Sequence, residues 1–306
     1  KKRIQNRLAE SRFAFPVMII YGLAVWLGAG TVAEGAYLQL AFFVASTLLM
    51  MMLNNTNSLI RIYSRMVSCS FVAMTCAATF LFSSLESCAT GMCFILFYLS
   101  LLRSYQDKRA PGIAFYSFAC LGIASLFFVQ ILYFVPFLWI LMASNMMALT
   151  HRMFWATVLG LVMPYWFAVG YYVVTNQFDA FIDHFAELAQ FEPLLQYEAL
   201  DIHRIATFGL VVLLAVIGII HYMRNSYQDK IRTRMIFEMF ITVDILSFVF
   251  IILQPQHFDN LLPIIIVNTS CLFAHYVALT RTWLTNVTFI VMCLATLGLT
   301  IFNLMP

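Results

Sequence analysis

Long blocks of apolar residues follow one another along the chain, and charged residues separate them. Such blocks predict membrane-spanning helices, because about 20 apolar residues in a helix cross a hydrocarbon core that is ~30 Å thick. We therefore predict an all-α polytopic bundle of about eleven spans, forming one transmembrane domain over residues 1–306. The predicted spans are residues 13–30, 36–53, 66–84, 88–102, 112–129, 131–149, 153–174, 205–223, 235–253, 260–280 and 284–304.

Residues 112–149 form one apolar stretch that we divide into two spans. As a single helix the stretch would be ~57 Å long, far longer than the hydrocarbon core is thick. Gln130, with Pro136 shortly after it, marks the predicted turn, since proline cannot donate a helical hydrogen bond. The stretch therefore forms either two short passes or a re-entrant pair.

The basic residues predict which way the bundle faces, because cytoplasmic connections retain Lys and Arg. With the amino terminus inside, 16 of the 17 basic residues fall on the cytoplasmic side, and Arg204 is the exception. Nine of the 14 acidic residues fall on the other side. We predict a cytoplasmic amino terminus and an external carboxyl terminus.

Composition agrees with a membrane protein and excludes several other classes. Apolar residues make up 63% of the chain and charged residues 10%, whereas soluble domains have roughly 45–50% and about 25%. A soluble enzyme or a disordered protein is thereby excluded, and the lipid bilayer is the expected partner. The net charge of +3 is too balanced to indicate a nucleic-acid partner. No motif for a cofactor or for a particular reaction is present, so no cofactor is predicted.

The connection at residues 175–204 contains a predicted amphipathic helix. Its apolar residues recur at helical spacing, while Asp179, Asp183 and Glu187 lie four residues apart on the opposite face. We interpret this segment as a helix that lies in the membrane interface and ends at Pro193. The alternative is that the three carboxylates bind a divalent cation or a cationic head group, because hard cations prefer carboxylate oxygens.

Ionisable residues within the predicted spans are candidates for function, because charge is costly to bury in lipid. Asp244 lies near the middle of its span, ~14 Å from the inner end, and must be protonated or paired. The next span offers Asn268, Thr269, Cys271 and His275 at matching depths. A contact between Asp244 and His275 would either hold the two helices together or relay protons. We expect Arg234, one turn earlier, to neutralise Glu238.

Polar residues at the external ends of two spans form a second candidate site. Glu34 follows the first span, and Gln256, His257 and Asp259 precede the tenth. With Arg204, the one external basic residue, they are predicted to line an outward-facing cavity. An isolated arginine suits the phosphate of a lipid head group. The alternative for each residue is an ordinary solvated position in a loop.

A glycine and a proline in the seventh predicted span, Gly160 and Pro164, indicate a kinked or broken helix. Broken helices at membrane depth need protein or water to satisfy their backbone groups, and they often surround a cavity. We therefore expect a cavity near spans five to seven and nine to ten.

Several segments in this part of the chain resemble known families. Residues 122–128 (GIASLFF), 137–139 (FLW), 151–155 (HRMFW) and 160–166 (GLVMPYW) resemble an uncharacterised family of multi-pass inner-membrane proteins of Bacteroidota. In this order they also distantly resemble the middle of the polytopic C-type (GT-C) glycosyltransferases. Residues 256–263 (QHFDNLLP) are similar to a late segment of that superfamily that contains histidine and proline.

The resemblance implies a location in the bacterial inner membrane and a role in envelope biogenesis. It also implies a polyprenyl-phosphate or glycolipid substrate, because enzymes of the superfamily use polyprenyl-phosphate sugar donors. Their catalytic carboxylate follows the first span, so Glu34 is the candidate base, with His257 and Arg204 near the phosphate.

Three functions fit these patterns. The first is a membrane protein with a GT-C-like scaffold that binds or acts on polyprenyl-phosphate or glycolipid substrates. The second is a secondary transporter or permease with Asp244 and His275 in a midplane pathway. The third is a non-catalytic subunit of an envelope complex, with another membrane protein as its partner. The sequence leaves open whether the protein is an enzyme.

Overall fold

The computed structural model describes residues 3–191, 197 and 200–305. Every regular element in these ranges is helical, which confirms the predicted all-α class. The α-helices are α1 Ile4–Ala9, α2 Ala14–Gly28, α3 Tyr37–Asn57, α4 Met66–Ala77, α5 Leu85–Leu101, α6 Pro111–Phe127, α7 Val135–Ser144, α8 His151–Val174, α9 Phe178–Ala186, α10 Ile202–Asn225, α11 Ile231–Leu253, α12 Phe258–Leu279 and α13 Trp283–Leu304.

Seven helices in the described part of the chain are long and apolar enough to cross a bilayer: α3, α5, α8, α10, α11, α12 and α13. By their length and composition they indicate a multi-pass membrane protein. Four further apolar helices, α2, α4, α6 and α7, are shorter, with 10–17 residues each. A short 3₁₀ segment precedes α7. Each of these eleven helices falls on one of the apolar blocks of the sequence.

Side chains at the helix starts explain several of the observed boundaries. Ser84 accepts a hydrogen bond from the backbone N–H of Ser87, which fixes the start of α5 at Leu85. Thr150 caps α8 and Thr282 caps α13 in the same way. A capping oxygen satisfies a backbone donor that the helix itself leaves unpaired. These three helices therefore start one to three residues before the apolar blocks that predicted them.

Hydrogen bonds between connections define one end of the bundle, which we call the proximal end. Gln5 in α1 donates through Nε2 to Thr280 Oγ1 at 2.6 Å. Arg61 donates through Nη2 to Gln228 Oε1, also at 2.6 Å. The proximal end comprises α1 and residues 58–65, 102–110, 145–150, 226–230 and 280–282.

The opposite end, which we call the distal end, is joined in the same manner. Thr79 Oγ1 donates to the carbonyl oxygen of Asn303 at 2.8 Å, and Ser87 Oγ donates to Asn260 Oδ1 at 3.1 Å. The distal end comprises residues 29–36, 78–84, 128–134, 175–191 and 254–257. Among the described basic residues, all except Arg204 lie at the proximal end or within about one turn of it.

The apolar stretch at residues 112–149 turns back where the sequence predicts. Helix α6 ends at Phe127, a 3₁₀ segment spans Val129–Phe134, and α7 starts at Val135. Pro136 occupies the first turn of α7, where its missing N–H costs no helical hydrogen bond. The predicted division of this stretch into two segments is confirmed.

Helix α12 is the centre of the bundle. It contacts α4, α5, α10 and α11. In its most apolar stretch 94% of the residues are buried, compared with 22% in α8 and 17% in α13. A helix that is apolar all round is buried in this way. Polar side chains on α12 therefore have to find partners inside the protein.

Helices α6 and α8 make the most extensive contact between two helices in the structure. A Cβ at Gly160 would lie 2.3 Å from the carbonyl oxygen of Phe115, so only glycine permits this close approach. Pro164 lies inside α8, which continues to Val174. Of three cavities in the described structure, α12, which is the tenth predicted span, lines two through Pro263 and Phe273, and α6, α7 and α8 line none. Small residues let α6 and α8 pack closely against each other.

Candidate functional site

Four polar residues of α12 contact four different partners along its length. Asn260, Asn268, Thr269 and His275 contact, in order, Ser87, Tyr98, Asp244 and Asp229. Tyr98 donates to Asn268 Oδ1 at 2.8 Å, with both residues fully buried. The central helix therefore joins α5, α11 and the turn between α10 and α11 through hydrogen bonds.

Asp244 pairs with Thr269 and not with His275. Its Oδ2 accepts a hydrogen bond from Thr269 Oγ1 at 2.9 Å, its Oδ1 is buried without a partner, and the residue is 0% exposed. Helix α11 starts at Ile231, so Asp244 lies ~20 Å from the proximal end of that helix. His275 lies only ~6 Å from the proximal end of α12, and this difference in depth separates the two side chains. The predicted contact between Asp244 and His275 was wrong.

His275 instead belongs to a buried polar centre at the proximal end. Its Nε2 donates to Asp229 Oδ2 at 2.9 Å, and the two side chains are 1% and 3% exposed. Arg61, from the connection between α3 and α4, lies 3.8 Å from Asp229 Oδ1. We call these three residues the His–Asp centre. It fastens the turn before α11 to α12 and to the turn after α3.

Aromatic rings and a second histidine surround His275. Phe237 and Tyr222 lie edge to face with its ring, with centroids at 4.9 Å and 5.6 Å. The ring of His221 lies 5.4 Å from it, and Asn225 Nδ2 donates to His221 Nδ1 at 3.1 Å. The apolar rings keep water from the Asp229–His275 hydrogen bond, which strengthens it.

At the distal end, Arg204 and Asp259 form a bidentate ion pair. Arg204 donates through Nε and Nη2 to the two carboxylate oxygens, both at 2.8 Å. Its guanidinium also lies 5.1 Å from the centre of the Phe80 ring. This geometry is the strongest that an arginine forms with a carboxylate. The carboxylate of Asp259 therefore compensates the charge of Arg204. The isolated positive charge that was predicted to bind phosphate at this position is not found.

The other predicted distal residues are Gln256, His257 and Glu34. Gln256 Nε2 lies 2.9 Å from Gln254 Oε1 and 3.1 Å from His257 Nε2. The His257 ring packs 5.5 Å from Phe128. Glu34 is exposed in the turn between α2 and α3, and no described hydrogen bond or ion pair joins its side chain to these residues.

Glu238 has a different partner from the one that the sequence suggests. Asn145 Nδ2 donates to Glu238 Oε2 at 2.9 Å. Arg234 is not among the partners of Glu238 in the described ion pairs, and its carbonyl oxygen accepts from Tyr222. The expected neutralisation of Glu238 by Arg234 was therefore wrong, because Asn145, in the turn after α7, contacts the carboxylate instead.

The predicted amphipathic helix forms as α9, followed by a 3₁₀ turn at Glu187–Ala189. Its apolar face packs on α8, where Phe185 lies 4.9 Å from the Tyr165 ring, and His184 Nε2 lies 3.0 Å from the Ser125 carbonyl oxygen. Pro193, the predicted end of this helix, lies outside the described residues, as do Glu192 and Glu198.

The acidic face of α9 does not form a metal site. Asp179, Asp183 and Glu187 are all exposed. Within the described residues, no group of three or more His, Cys, Asp or Glu side chains is arranged to hold a metal ion. Four-residue spacing places the carboxylates about one helical turn apart along the surface, so they do not converge on one point.

The largest of the three cavities is an apolar groove of about 420 Å³ between α2, α4 and α13. This volume falls within the roughly 300–1,000 Å³ of small-molecule sites. The bottom of the groove is formed by α10 and α12 through Leu214 and Phe273. Phe13 and Leu297 lie on its rim and are 77% and 45% exposed, so the groove opens sideways at the apolar outer surface of the bundle.

Two arginines lie beside the proximal part of this groove. Arg12 stands between the groove residues Ser11 and Phe13 and is exposed. Arg65 immediately precedes the groove residue Met66. Neither arginine forms an ion pair with a described acidic residue. The groove therefore combines an apolar interior with uncompensated positive charge at one end.

The sequence did not point to Asp229 or Arg61, or to Arg12 and Arg65 beside the groove. One signal was present, because the pentapeptide Ser-Tyr-Gln-Asp-Lys that contains Asp229 also occurs at residues 104–108. In that first copy Asp107 accepts only the backbone N–H of Arg109, at 2.8 Å, so the repeat alone does not identify the buried aspartate. Comparisons with protein families, curated proteins and solved structures found no match to this chain.

Proposed function

We propose that this protein binds, within the bilayer, a long-chain amphiphile of the polyprenyl-phosphate or glycolipid class. The apolar groove carries the proposal, because its walls offer hydrocarbon side chains over a volume of about 420 Å³ and its open side lies toward lipid. An apolar site that is open to the bilayer exchanges its contents with lipid, so a long hydrocarbon chain is its natural occupant.

The proposal includes a topology of eleven spans with a cytoplasmic amino terminus in the bacterial inner membrane. Two observations support it. Consecutive apolar helices connect at alternate ends of the bundle, and the basic residues gather at the proximal end. Under the positive-inside rule the proximal end is cytoplasmic. Cysteine labelling from outside, at Ser83→Cys for the distal end and at Ser226→Cys for the proximal end, tests this orientation.

The proposed activity is binding; glycosyl transfer is not part of the proposal. The GT-C-like scaffold rests on the sequence segments alone. A general base has to lie within reach of the reacting group. Glu34 is exposed and shares no described contact with Gln256, His257 or Asp259. The geometry at the distal end therefore gives Glu34 no substrate to act on.

A groove-filling substitution tests the proposed binding. Ala73 lines the groove on α4, so Ala73→Trp places an indole where the chain of the amphiphile would lie. Ala295 on the exposed face of α13 is the matched control. Native mass spectrometry of the purified protein with undecaprenyl phosphate should show a bound molecule for the wild type and for Ala295→Trp.

Ala73→Trp should lose the bound molecule. Should that variant fail to fold, Ser70→Leu fills the same wall with a smaller side chain. Equal binding by the wild type and a folded, groove-filled variant would refute the proposal.

Asp244 supports a second candidate function, proton-coupled transport. It is a fully buried carboxyl group with one unpartnered oxygen, and intramembrane carboxyl groups of this kind mark proton pathways in other membrane proteins. Thr269 takes the place of His275 as its partner. In proteoliposomes with a pH-sensitive dye inside, an external acid pulse should acidify the lumen with wild type and with Asp107→Asn, and more slowly with Asp244→Asn. Equal rates would remove this candidate.

A further inference from the structure

The dimensions of the groove limit what can occupy it. The residues that line it on α4 and α13 each cover nine positions, Met66 to Met74 and Phe289 to Leu297, and those on and just before α2 run from Phe13 to Tyr21. Nine positions span ~12 Å of helix, close to the ~15 Å depth of one leaflet.

The length and the apolar lining of the groove suit an extended hydrocarbon chain that lies along the helices. The head group of a lipid bound in this way lies at one end of the groove, where the leaflet meets water.

The charges at the proximal part of the groove favour an anionic head group. Arg65 Nε donates to the hydroxyl of Tyr63 at 3.2 Å, and the guanidinium lies 5.3 Å from the centre of that ring. Arg65 Nη1 is buried and has no hydrogen-bond partner. A buried guanidinium N–H without an acceptor is costly, and phosphate oxygens are the acceptors that arginine binds most strongly.

Arg12 adds a second positive charge beside the same opening. It lies in the short connection between α1 and α2, and its neighbours Ser11 and Phe13 both line the groove. Hydrogen bonds from Gln5 to Val277 and from Asn6 to Thr280 fasten α1 to the end of α12. This anchoring places the connection at a fixed position beside the groove.

We propose that Arg12 and Arg65 bind the phosphate of a lipid phosphate, one hydrocarbon chain of which occupies the apolar groove. The inference rests on the proposed function and adds the chemical class of the lipid and its direction. The head group lies at the proximal end, so the lipid enters from the leaflet on that side. This direction is opposite to the one that an external phosphate site at Arg204 would require.

Binding of two related lipids in detergent micelles, followed by native mass spectrometry, tests the inference. Oleoyl lysophosphatidate has one chain and a phosphate monoester, whereas monoolein has the same chain and no charge. Oleoyl lysophosphatidate should bind at least ~10-fold more tightly than monoolein, because each hydrogen bond to a charged group contributes about a factor of ten or more.

Substitution of the two arginines separates the head group from the chain. The double variant Arg12→Gln/Arg65→Gln should bind oleoyl lysophosphatidate at least ~10-fold more weakly than wild type. The Arg12→Lys/Arg65→Lys variant should retain most of the affinity, since it keeps both charges. Arg103→Gln/Arg109→Gln is the matched control, because it removes two exposed proximal charges that are not beside the groove.

Failure of the inference and failure of the proposed function give different results. Unchanged binding by Arg12→Gln/Arg65→Gln, together with loss of binding by Ala73→Trp, would overturn the head-group site and leave the groove as a lipid site. Unchanged binding by Ala73→Trp would overturn both. Equal or tighter binding of monoolein would overturn the phosphate site.

Discussion

Asp229 and Asp244 are both buried carboxyl groups that contact α12, but their surroundings differ in kind. Asp229 lies at the proximal end, where His275 Nε2 donates to it at 2.9 Å and Arg61 lies 3.8 Å away. Asp244 lies near the middle of α11, where a single hydroxyl, that of Thr269, contacts it and one of its oxygens has no partner.

The difference follows from depth in the bundle. At the end of a helix, side chains from several connections reach one another, so a carboxylate can gain two basic partners. Arg61 is 38% exposed there and keeps contact with water while it approaches Asp229. In the middle of the bundle only neighbouring helices supply partners, and around Asp244 they supply uncharged ones. Asp229 therefore contributes to stability through charge, whereas Asp244 does not.

Removing the carboxylate of Asp229 should give the largest effect. Asp229→Ala leaves His275 without an acceptor and Arg61 without its counter-charge, and leaving a buried donor unsatisfied in this way typically costs about 3 kcal/mol. The measurement is the free energy of unfolding by denaturant in mixed micelles. The repeated pentapeptide provides a matched control, because Asp107 occupies the same position in its first copy but is exposed.

Asp107→Ala should cost less than about 1 kcal/mol, since it loses only one exposed hydrogen bond to a backbone N–H. Similar losses for the two alanine variants would contradict the distinction drawn between the buried and the exposed copy.

The coupling between His275 and Asp229 should be the next largest effect. In a double-mutant cycle with His275→Phe and Asp229→Asn, we expect the combined loss of stability to be smaller than the sum by about 1–3 kcal/mol. Phenylalanine suits the site, because Phe237 and Tyr222 already pack against the His275 ring. Additive losses would show that the two side chains act independently, and the His–Asp centre would then not be a unit.

The lengths of the apolar blocks were sufficient to predict where most of the helices lie. The turn around Gln130 and the helix at Phe178–Ala186 both follow from local patterns, which depend only on residues close in sequence. Helix α8 is not broken: it continues past Pro164, and its close packing on α6 depends on Gly160, a contact between segments distant in sequence.

The candidate site was harder to predict, because it depends on depth and on contacts between distant residues. An error of four residues in the start of α11 moved Asp244 by ~6 Å relative to α12, enough to change its partner from His275 to Thr269. Arg204 looked isolated in sequence because Asp259, its partner, lies 55 positions away. The groove could not be predicted at all, since helices from both halves of the chain form it.

The smallest effect should come from Asp244. Asparagine keeps the volume and can still accept the hydrogen bond from Thr269, so Asp244→Asn should change the free energy of unfolding by less than about 1 kcal/mol. The matched control is Glu238→Gln, at an exposed carboxylate on the same helix. A loss of several kcal/mol would mean that Asp244 is ionised and has a cationic partner, because only a paired charge is so costly to remove. In that case Asp229 and Asp244 would belong to the same class, and depth in the bundle would no longer explain how their surroundings differ.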